Sequence, residues 1–199
     1  MTETPPDTPL KGLTVLITGA ADVQGMAIAR VLGILGANLH LADGDEAALI
    51  EATRAYRDET RGGIKLHTAQ LDRAVGLEAL AMECEDADVL IHAAGAFPND
   101  GEEDATRRAW TKRVLGALPL ITEAASGFED RDRGLVLLAL PARLETCKTP
   151  HPAMAAAALR ALCEDETTRN ELPDGVTLET VEAGTPDAIA ARVRDWWTA

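Results

Sequence analysis

The sequence is poor in basic residues and has no long apolar run. Its 199 residues carry 19 Lys and Arg against 33 Asp and Glu, which gives a formal net charge of −14. Nucleic acids and anionic membrane surfaces are bound through basic patches, so we expect neither as a partner. No apolar stretch approaches the ~20 residues of a membrane span, and the N-terminus does not resemble a signal peptide. These absences predict a cytoplasmic protein.

Cysteine is also scarce. Cys84, Cys147 and Cys163 are an odd number and have no paired C-x-x-C spacing. This pattern is typical of reduced thiols in a cytoplasm, and we expect no metal site. Cys84 and Cys163 are interpreted as packing residues.

Serine and tyrosine are almost absent. The chain has one serine, Ser126, and one tyrosine, Tyr56. A reaction that needs both a serine and a tyrosine would therefore have to use Ser126 and Tyr56.

Six short apolar stretches alternate with stretches of helical pattern. The predicted strands are Thr14–Thr18, Asn38–Ala42, Ile64–Ala69, Asp88–Ala93, Leu135–Leu140 and Val176–Glu182. The predicted helices are Gln24–Leu35, Glu46–Arg61, Val75–Glu85, Asp104–Gly127 with a kink at Pro119, Pro152–Thr168, and a last helix from Pro186. This alternation predicts an α/β fold, a Rossmann-like doubly wound parallel sheet with helices on both faces.

The segment between the first strand and the first helix has the composition of a phosphate-binding turn. Helix N-terminal amides stabilise a pyrophosphate, and small residues let the backbone approach it. The residues predicted to contact the nucleotide here are Thr18, Gly19, Ala21, Asp22, Val23 and Gly25. The alternative is that Gly19 and Gly25 only permit tight packing of the strand against the helix.

An acidic residue ends the second strand at the position expected for a ribose contact. Asp43 follows Gly19 by 24 residues. A carboxylate there accepts hydrogen bonds from both ribose hydroxyls and repels a 2′-phosphate. The pattern therefore favours NAD(H) over NADP(H) as a cofactor.

From Leu10 to about Arg194 the chain resembles the short-chain dehydrogenase/reductase (SDR) family. The turn is similar to the family's Thr-Gly-x-x-x-Gly-x-Gly motif, with Val23 in place of the middle glycine. The segment from His92 to Gly95 is similar to the Asn-Asn-Ala-Gly motif after the fourth strand. The resemblance implies the strand order 3-2-1-4-5-6. It also implies further nucleotide contacts at Leu71, Asp72, Ala94 and Gly95.

The same resemblance implies that the family's catalytic side chains are missing. Members transfer hydride with a Tyr-x-x-x-Lys pair, a serine and an asparagine. In this chain the pair falls on Pro152 and Ala156, the serine falls on Leu140-Pro141, and the asparagine falls near Val114. Neither Tyr56 nor Ser126 lies near these positions in the sequence.

The end of the chain departs from the family as well. Ala183-Gly184 resembles the family's Pro-Gly, but the sequence then continues directly into the helix from Pro186. We therefore expect a flexible tail over residues 1–9. A single Rossmann-like SDR domain is expected over 10–199, without the substrate lid and the last strand.

Other side chains could supply chemistry at this edge. Cys147 and His151 lie in the loop after the fifth strand and are weak catalytic candidates, since a Cys–His pair needs hydrogen-bond geometry and an orienting group. Solvated loop residues are the alternative. His92 is interpreted as a satisfied strand-end histidine.

The Ala-rich helix after this loop suggests close approach of a second helix. In the family this helix and the central helix form a dimer interface, so we expect a homodimer or a hetero-oligomer with an active SDR subunit. Trp196-Trp197 either anchor a partner or pack on the chain's own core.

Three functions follow from these residues. The first is a non-catalytic SDR protein that acts as a structural or regulatory subunit and binds NAD(H). The alternatives are an NAD(H)-dependent oxidoreductase with a remodelled site, and a sensor of the NADH/NAD⁺ ratio that responds through oligomerisation.

Overall fold

One parallel sheet organises the molecule. The computed structural model describes residues 8–93, 97, 103–128, 131, 133–141, 149–182 and 186–199. The strands are β1 (Thr14–Thr18), β2 (Asn38–Asp43), β3 (Ile64–Thr68), β4 (Val89–His92), β5 (Gly134–Ala139) and β6 (Val176–Val181). They pair in the order β3-β2-β1-β4-β5-β6, all parallel. The predicted fold class and strand order are confirmed.

Helices cover both faces of the sheet. They are α1 (Val23–Ile34), α2 (Glu46–Arg54), α3 (Ala74–Glu83), α4 (Glu103–Trp110), α5 (Ala117–Phe128), α6 (His151–Glu164), α7 (Glu166–Asn170) and α8 (Pro186–Thr198). One core, built around α1 and α8, contains Val15, Val89 and Leu137, and a second core contains their strand neighbours Leu16, Leu90 and Leu138. β5 is buried at all six positions, as its uninterrupted apolar sequence predicts.

The central helical region breaks at a different place from the one predicted. A kink was expected at Pro119, but Pro119 lies in the first turn of α5, where a proline needs no backbone donor. The break falls instead on a π-helical turn over Thr111–Leu115, which joins α4 to α5. Extra residues in a turn of this kind re-aim side chains and often mark functional segments. Here the turn directs Arg113 into the interior.

Two other helices end earlier than their sequence pattern indicates. The helix predicted over Glu46–Arg61 stops at Arg54 and continues as a short 3₁₀ turn, Arg57–Glu59. The helix predicted over Pro152–Thr168 breaks at Asp165, whose carboxylate accepts a hydrogen bond from the backbone N–H of Thr168 and caps α7. An N-cap side chain competes with helix continuation, which explains this second break.

The C-terminal tryptophans pack on their own chain. Trp196 is buried in the α1–α8 core, and Trp197 packs against it. The guanidinium of Arg133 lies 4.3 Å from the centre of the Trp196 ring, and its Nη2 donates a hydrogen bond to the Trp196 carbonyl. The interpretation as a partner anchor is therefore wrong for Trp196.

Among the described residues, every helix is too short or too polar to cross a lipid bilayer.

Candidate functional site

The candidate site lies at the carboxyl edge of the sheet, where strand order reverses. β1 is flanked by β2 and β4, and their connections leave on opposite faces. In open α/β sheets a crevice forms at this switch point outside the strand ends, and it is the usual ligand site. The β1–α1 turn, Asp43 and His92 all lie at this edge.

The β1–α1 turn is tightly folded. Gly19 adopts φ +73°, and its N–H donates to the Ala42 carbonyl at 2.9 Å. A Cβ on Gly25 would lie 2.1 Å from the Gly19 carbonyl oxygen, so only glycine fits there. The structure thus contains the tight strand–helix packing that was the alternative explanation for these glycines. This packing is compatible with phosphate binding, because it brings α1 close to the turn.

The amino end of α1 is open to an anion. Its N-cap residue, Asp22, makes no side-chain capping hydrogen bond, and the first turn carries no acidic residue. Val23 is the first residue of the helix and is 80% exposed. Its side chain therefore does not cover the turn. The backbone amides of this first turn are thus not capped by a side chain, and such amides suit a pyrophosphate.

Asp43 is fixed beside the turn. It is 8% exposed, and its Oδ2 accepts a hydrogen bond from the Ala21 N–H at 3.3 Å. Its Oδ1 accepts from the Gly44 N–H at 2.7 Å. A carboxylate has about four lone-pair sites, so two remain after these bonds for the hydroxyls of a ribose.

The other predicted nucleotide contacts differ in exposure. Asp72 is exposed, as a contact residue would be. The Leu71 side chain is buried in the second core at 1% exposure, which leaves its backbone as the part that can face a ligand. Ala94 and Gly95 lie outside the described residues.

His92 links the ends of β1 and β4. Its Nδ1 lies 2.7 Å from Oγ1 of Thr18 and its Nε2 lies 3.0 Å from the Arg113 carbonyl oxygen. The carbonyl can only accept, so Nε2 carries the proton and the Thr18 hydroxyl donates to Nδ1. Burial lowers the pKa of His92 to about 4, which keeps the ring neutral at physiological pH. This geometry matches a satisfied strand-end histidine rather than a general base.

A buried guanidinium crosses the ends of β4 and β5. Arg113 is 2% exposed and donates to the carbonyl oxygens of Ala93 at 3.0 Å and Ala139 at 3.2 Å. Burial lowers the pKa of Arg113 to about 10, which still leaves it charged at neutral pH. Sequence reasoning missed this residue, although an arginine next to the position compared with the family's asparagine was a signal for it.

Gln24 bridges the crevice itself. Its Nε2 donates to the Leu140 carbonyl oxygen at 3.1 Å, and its Oε1 accepts from Arg113 at 3.4 Å. Gln24 lies in the first turn of α1 above β1, whereas Leu140 follows β5, and β4 lies between these strands. The bridge therefore passes over the end of β4, on the opposite side of β1 from Asp43.

The positions compared with the catalytic residues carry apolar side chains. Leu140, Pro152 and Ala156 are buried, and none has a titratable group. The chain's single tyrosine and single serine lie toward the other edge of the sheet. Tyr56 follows α2, which runs back from the end of β2, and it is buried in the α1–α8 core. Ser126 lines a surface cavity with Thr14, which begins β1.

His151 is engaged by an aromatic neighbour. Its Nδ1 accepts a hydrogen bond from Nε1 of Trp110 at 3.3 Å, and its ring lies 6.2 Å from that of Phe97. Because Nδ1 is an acceptor here, Nε2 carries the proton of the neutral ring. Cys147 lies outside the described residues. The described contacts of His151 are those of an aromatic cluster with Phe97 and Trp110.

Solved structures with similar folds identify the architecture. An SDR from Mycobacterium smegmatis superposes with a TM-score of 0.74 at 21% identity over 98% of this chain and 90% of that chain. NAD⁺-bound xylitol dehydrogenase gives 0.71 at 19% identity over 87% and 70% of the two chains. A metagenomic SDR in complex with NADP gives 0.73 at 22% identity over 93% and 90%. The chain has the SDR fold.

Sequence comparison points in the same direction. No family model matches the chain. Sorbose reductase sou1 from Schizosaccharomyces pombe is 32% identical over 138 residues, which are 64% of this chain and 54% of the reductase. The chain thus matches about half the length of this curated relative. The solved structures show the fold, and the similarity to the reductase is confined to these 138 residues.

Proposed function

We propose that the chain is an SDR-family protein that binds NAD(H) through its adenosine half but does not transfer hydride by the family's serine–tyrosine–lysine chemistry. It acts as a structural or regulatory subunit. The observation that carries this proposal is the Arg113–Gln24 network, which lies over the ends of β4 and β5 beside apolar Leu140, Pro152 and Ala156. A general acid needs a titratable group within hydrogen-bond reach of the reacting oxygen.

The two halves of the crevice support different roles. The half near Asp43 combines a buried carboxylate, a tight glycine turn and the open amino end of α1. The half over β4 and β5 is crossed by the Gln24 side chain and backed by a guanidinium that is already bonded to two carbonyls. An adenosine diphosphate group fits the first half, whereas a nicotinamide would have to displace the Gln24 bridge.

The second candidate function is an oxidoreductase with a remodelled site. It is favoured by the sequence similarity to sorbose reductase sou1, whose name describes an enzyme. In that case Gln24 would swing away and a group other than tyrosine would handle the proton. His151 is the described titratable side chain nearest in sequence to the compared tyrosine position.

Titration with NADH tests the proposal and separates the two functions. We expect wild-type protein to bind NADH and ADP with similar affinity, because the adenosine half supplies the contacts. Asp43→Ala should weaken NADH binding by about tenfold or more, since each hydrogen bond to a charged group contributes ~1.5–3 kcal/mol. It should also reduce the preference for NADH over NADPH. Calorimetry measures the affinities of both proteins for NADH and NADPH and of the wild type for ADP.

The control for this titration is Asp58→Ala, which removes an exposed carboxylate from the 3₁₀ turn after α2. It should leave NADH affinity unchanged. The same samples are then mixed with a panel of ketoses and ketones while NADH absorbance is followed. Turnover at ordinary enzyme rates would establish the remodelled oxidoreductase and refute the non-catalytic function. Equal NADH affinity in Asp43→Ala would refute the ribose contact.

We also propose that the chain pairs with a second SDR-type subunit, its own copy in the simplest case. Apolar side chains are exposed on the helices expected to form the interface: Leu115 at 68%, Leu118 at 40% and Met154 at 53%. On α6 the alanines at 153, 157 and 161 are exposed at helical spacing, while Ala155 and Ala156 face the chain's own core. Small exposed side chains let a second helix approach closely.

A charged residue on this helix face should separate the subunits. Ala157→Glu places a carboxylate in the proposed interface, so we expect a dimer at micromolar concentration to become a monomer. Ala47→Glu makes the same substitution at an exposed position of α2 and should leave the dimer intact. Sedimentation velocity measures both. Wild-type protein that sediments as a monomer, or a dimeric Ala157→Glu variant, would refute self-pairing through this face.

A further inference from the structure

Two histidines and a cysteine meet on the sheet face covered by α3. His40 lies on β2, His67 on the edge strand β3, and Cys84 directly follows α3. In the β2–β3 register His40 pairs with Lys65 and Ala42 pairs with His67, so both histidines project to the same face. His40 is 2% and Cys84 5% exposed, and the His67 side chain is 10% exposed.

The three ligand atoms form a compact triangle. Nδ1 of His40 lies 3.1 Å from Nε2 of His67 and 3.2 Å from Sγ of Cys84. Sγ lies 3.7 Å from Nε2 of His67. In tetrahedral zinc sites Zn–N is ~2.0–2.1 Å and Zn–S ~2.3 Å, so two ligand nitrogens are about 3.3 Å apart and nitrogen and sulfur about 3.5 Å. One zinc ion can therefore contact all three atoms.

Carboxylates hold the outer nitrogens of both histidines. Oε2 of Glu83 lies 2.8 Å from Nδ1 of His67, and Oδ1 of Asp86 lies 3.5 Å from Nε2 of His40. A carboxylate favours the proton on the nitrogen that faces it, as in the carboxylate–histidine pairs that orient metal ligands. A ring with one proton therefore carries it on the outer nitrogen, and the lone pair of the inner nitrogen points into the triangle.

In this arrangement the three inner atoms have fewer protons to donate than acceptors to satisfy. Nδ1 of His40 and Nε2 of His67 face each other at 3.1 Å as two acceptors, and the Cys84 thiol has one proton for both. Each acceptor needs a donor, and the single thiol proton can satisfy only one of the two nitrogens. One acceptor then remains without a donor inside the triangle, which costs free energy in a buried site.

We propose that His40, His67 and Cys84 bind one Zn²⁺ ion through Nδ1, Nε2 and Sγ. Binding releases the thiol proton to solvent, the Zn–S bond forms in its place, and a water completes the four ligands. The mixed nitrogen and sulfur set is the one preferred by zinc among the common divalent ions. This inference departs from the expectation, drawn from cysteine spacing, that the chain has no metal site.

The proposed zinc is a structural ion and not part of the dinucleotide site. His40 precedes Asp43 by three residues on β2, which is about 10 Å along a strand. The ion would join the edge strand β3 to β2 and to the end of α3. Its presence is independent of whether the crevice binds NAD(H).

Metal titration of the purified protein tests the proposal. After dialysis against a chelator, we expect the protein to take up one equivalent of Zn²⁺ against a chromophoric competitor. With Co²⁺ as a probe we expect a thiolate-to-metal charge-transfer band in the near ultraviolet. Cys84→Ser should abolish that band and weaken Zn²⁺ binding at least about a hundredfold, beyond the ~10–100-fold effect of outer partners.

Cys163→Ser is the matched control. Cys163 is 5% exposed, the same as Cys84, but lies on α6 outside the triangle, so this variant should keep both the band and the affinity. If Cys84→Ser does not fold, the more exposed His67→Gln should show the same loss of affinity. Failure to take up Zn²⁺, or a cobalt–thiolate band that persists in Cys84→Ser, would overturn the site.

Discussion

Arg113→Met is expected to lower the free energy of unfolding by about 3 kcal/mol or more. The guanidinium donates to the carbonyl oxygens of Ala93 and Ala139, both in the buried interior at the ends of β4 and β5. Methionine fills a similar volume but has no donor, and each buried acceptor that loses its partner costs ~1–3 kcal/mol. Urea denaturation at pH 7 measures the change.

Arg107→Met controls for the loss of a positive charge. Arg107 lies on the neighbouring α4, its side chain is 75% exposed, and it pairs with Asp104, which is itself exposed. Surface pairs of this kind contribute ~0–1 kcal/mol, so the control should change stability little. Arg113→Lys should fall between the two, because it keeps the charge without the planar fork of donors. A loss below about 1 kcal/mol for Arg113→Met would contradict the structural role of the network.

The sheet could be predicted from the sequence because its signal is local. Thr14–Thr18 was predicted with its observed bounds, and β5 was predicted within one residue of each end. Strands buried on both faces have uninterrupted apolar sequences, and the helices between them force parallel pairing. The strand order followed from the family resemblance.

The helix breaks and the buried polar groups were harder to predict, because they depend on tertiary contacts. Pro119 looked like a break, yet the chain breaks at Thr111–Leu115, where Arg113 reaches carbonyls from two strands. The effect of a proline is predicted from local backbone geometry. A π-helical turn is instead stabilised by the contacts that its side chains make in the interior.

The proposed zinc site was also hard to predict from the sequence. Its ligands are separated by 27 and 17 residues, so no spacing motif connects His40, His67 and Cys84. They meet because β2 and β3 pair in one register and α3 ends above them. Histidines at two inward positions of adjacent apolar strands were the available signal.

The nucleotide turn depends on a single close contact that a second substitution can test. Gly25 lies in the first turn of α1, and a Cβ at this position would meet backbone atoms of Gly19 and Ala20 first. Backbone atoms cannot turn aside as the end of a flexible side chain can. Any side chain at this position must therefore push α1 away from β1.

Gly25→Ala is expected to destabilise the protein by about 3 kcal/mol, at the upper end of typical overpacking costs, and to abolish NADH binding in the molecules that still fold. The added Cβ would lie 2.1 Å from the Gly19 carbonyl oxygen, so the helix amides move out of reach of the turn. Gly127→Ala is the matched control: its Cβ would be 3.7 Å from the nearest atom, and alanine should stabilise α5 by up to ~1 kcal/mol. Thermal unfolding and an NADH titration below the transition measure both variants. Gly25→Ala with wild-type stability would show that α1 and the turn are not in this contact, whereas lost stability with unchanged NADH affinity would leave the glycine a packing role alone.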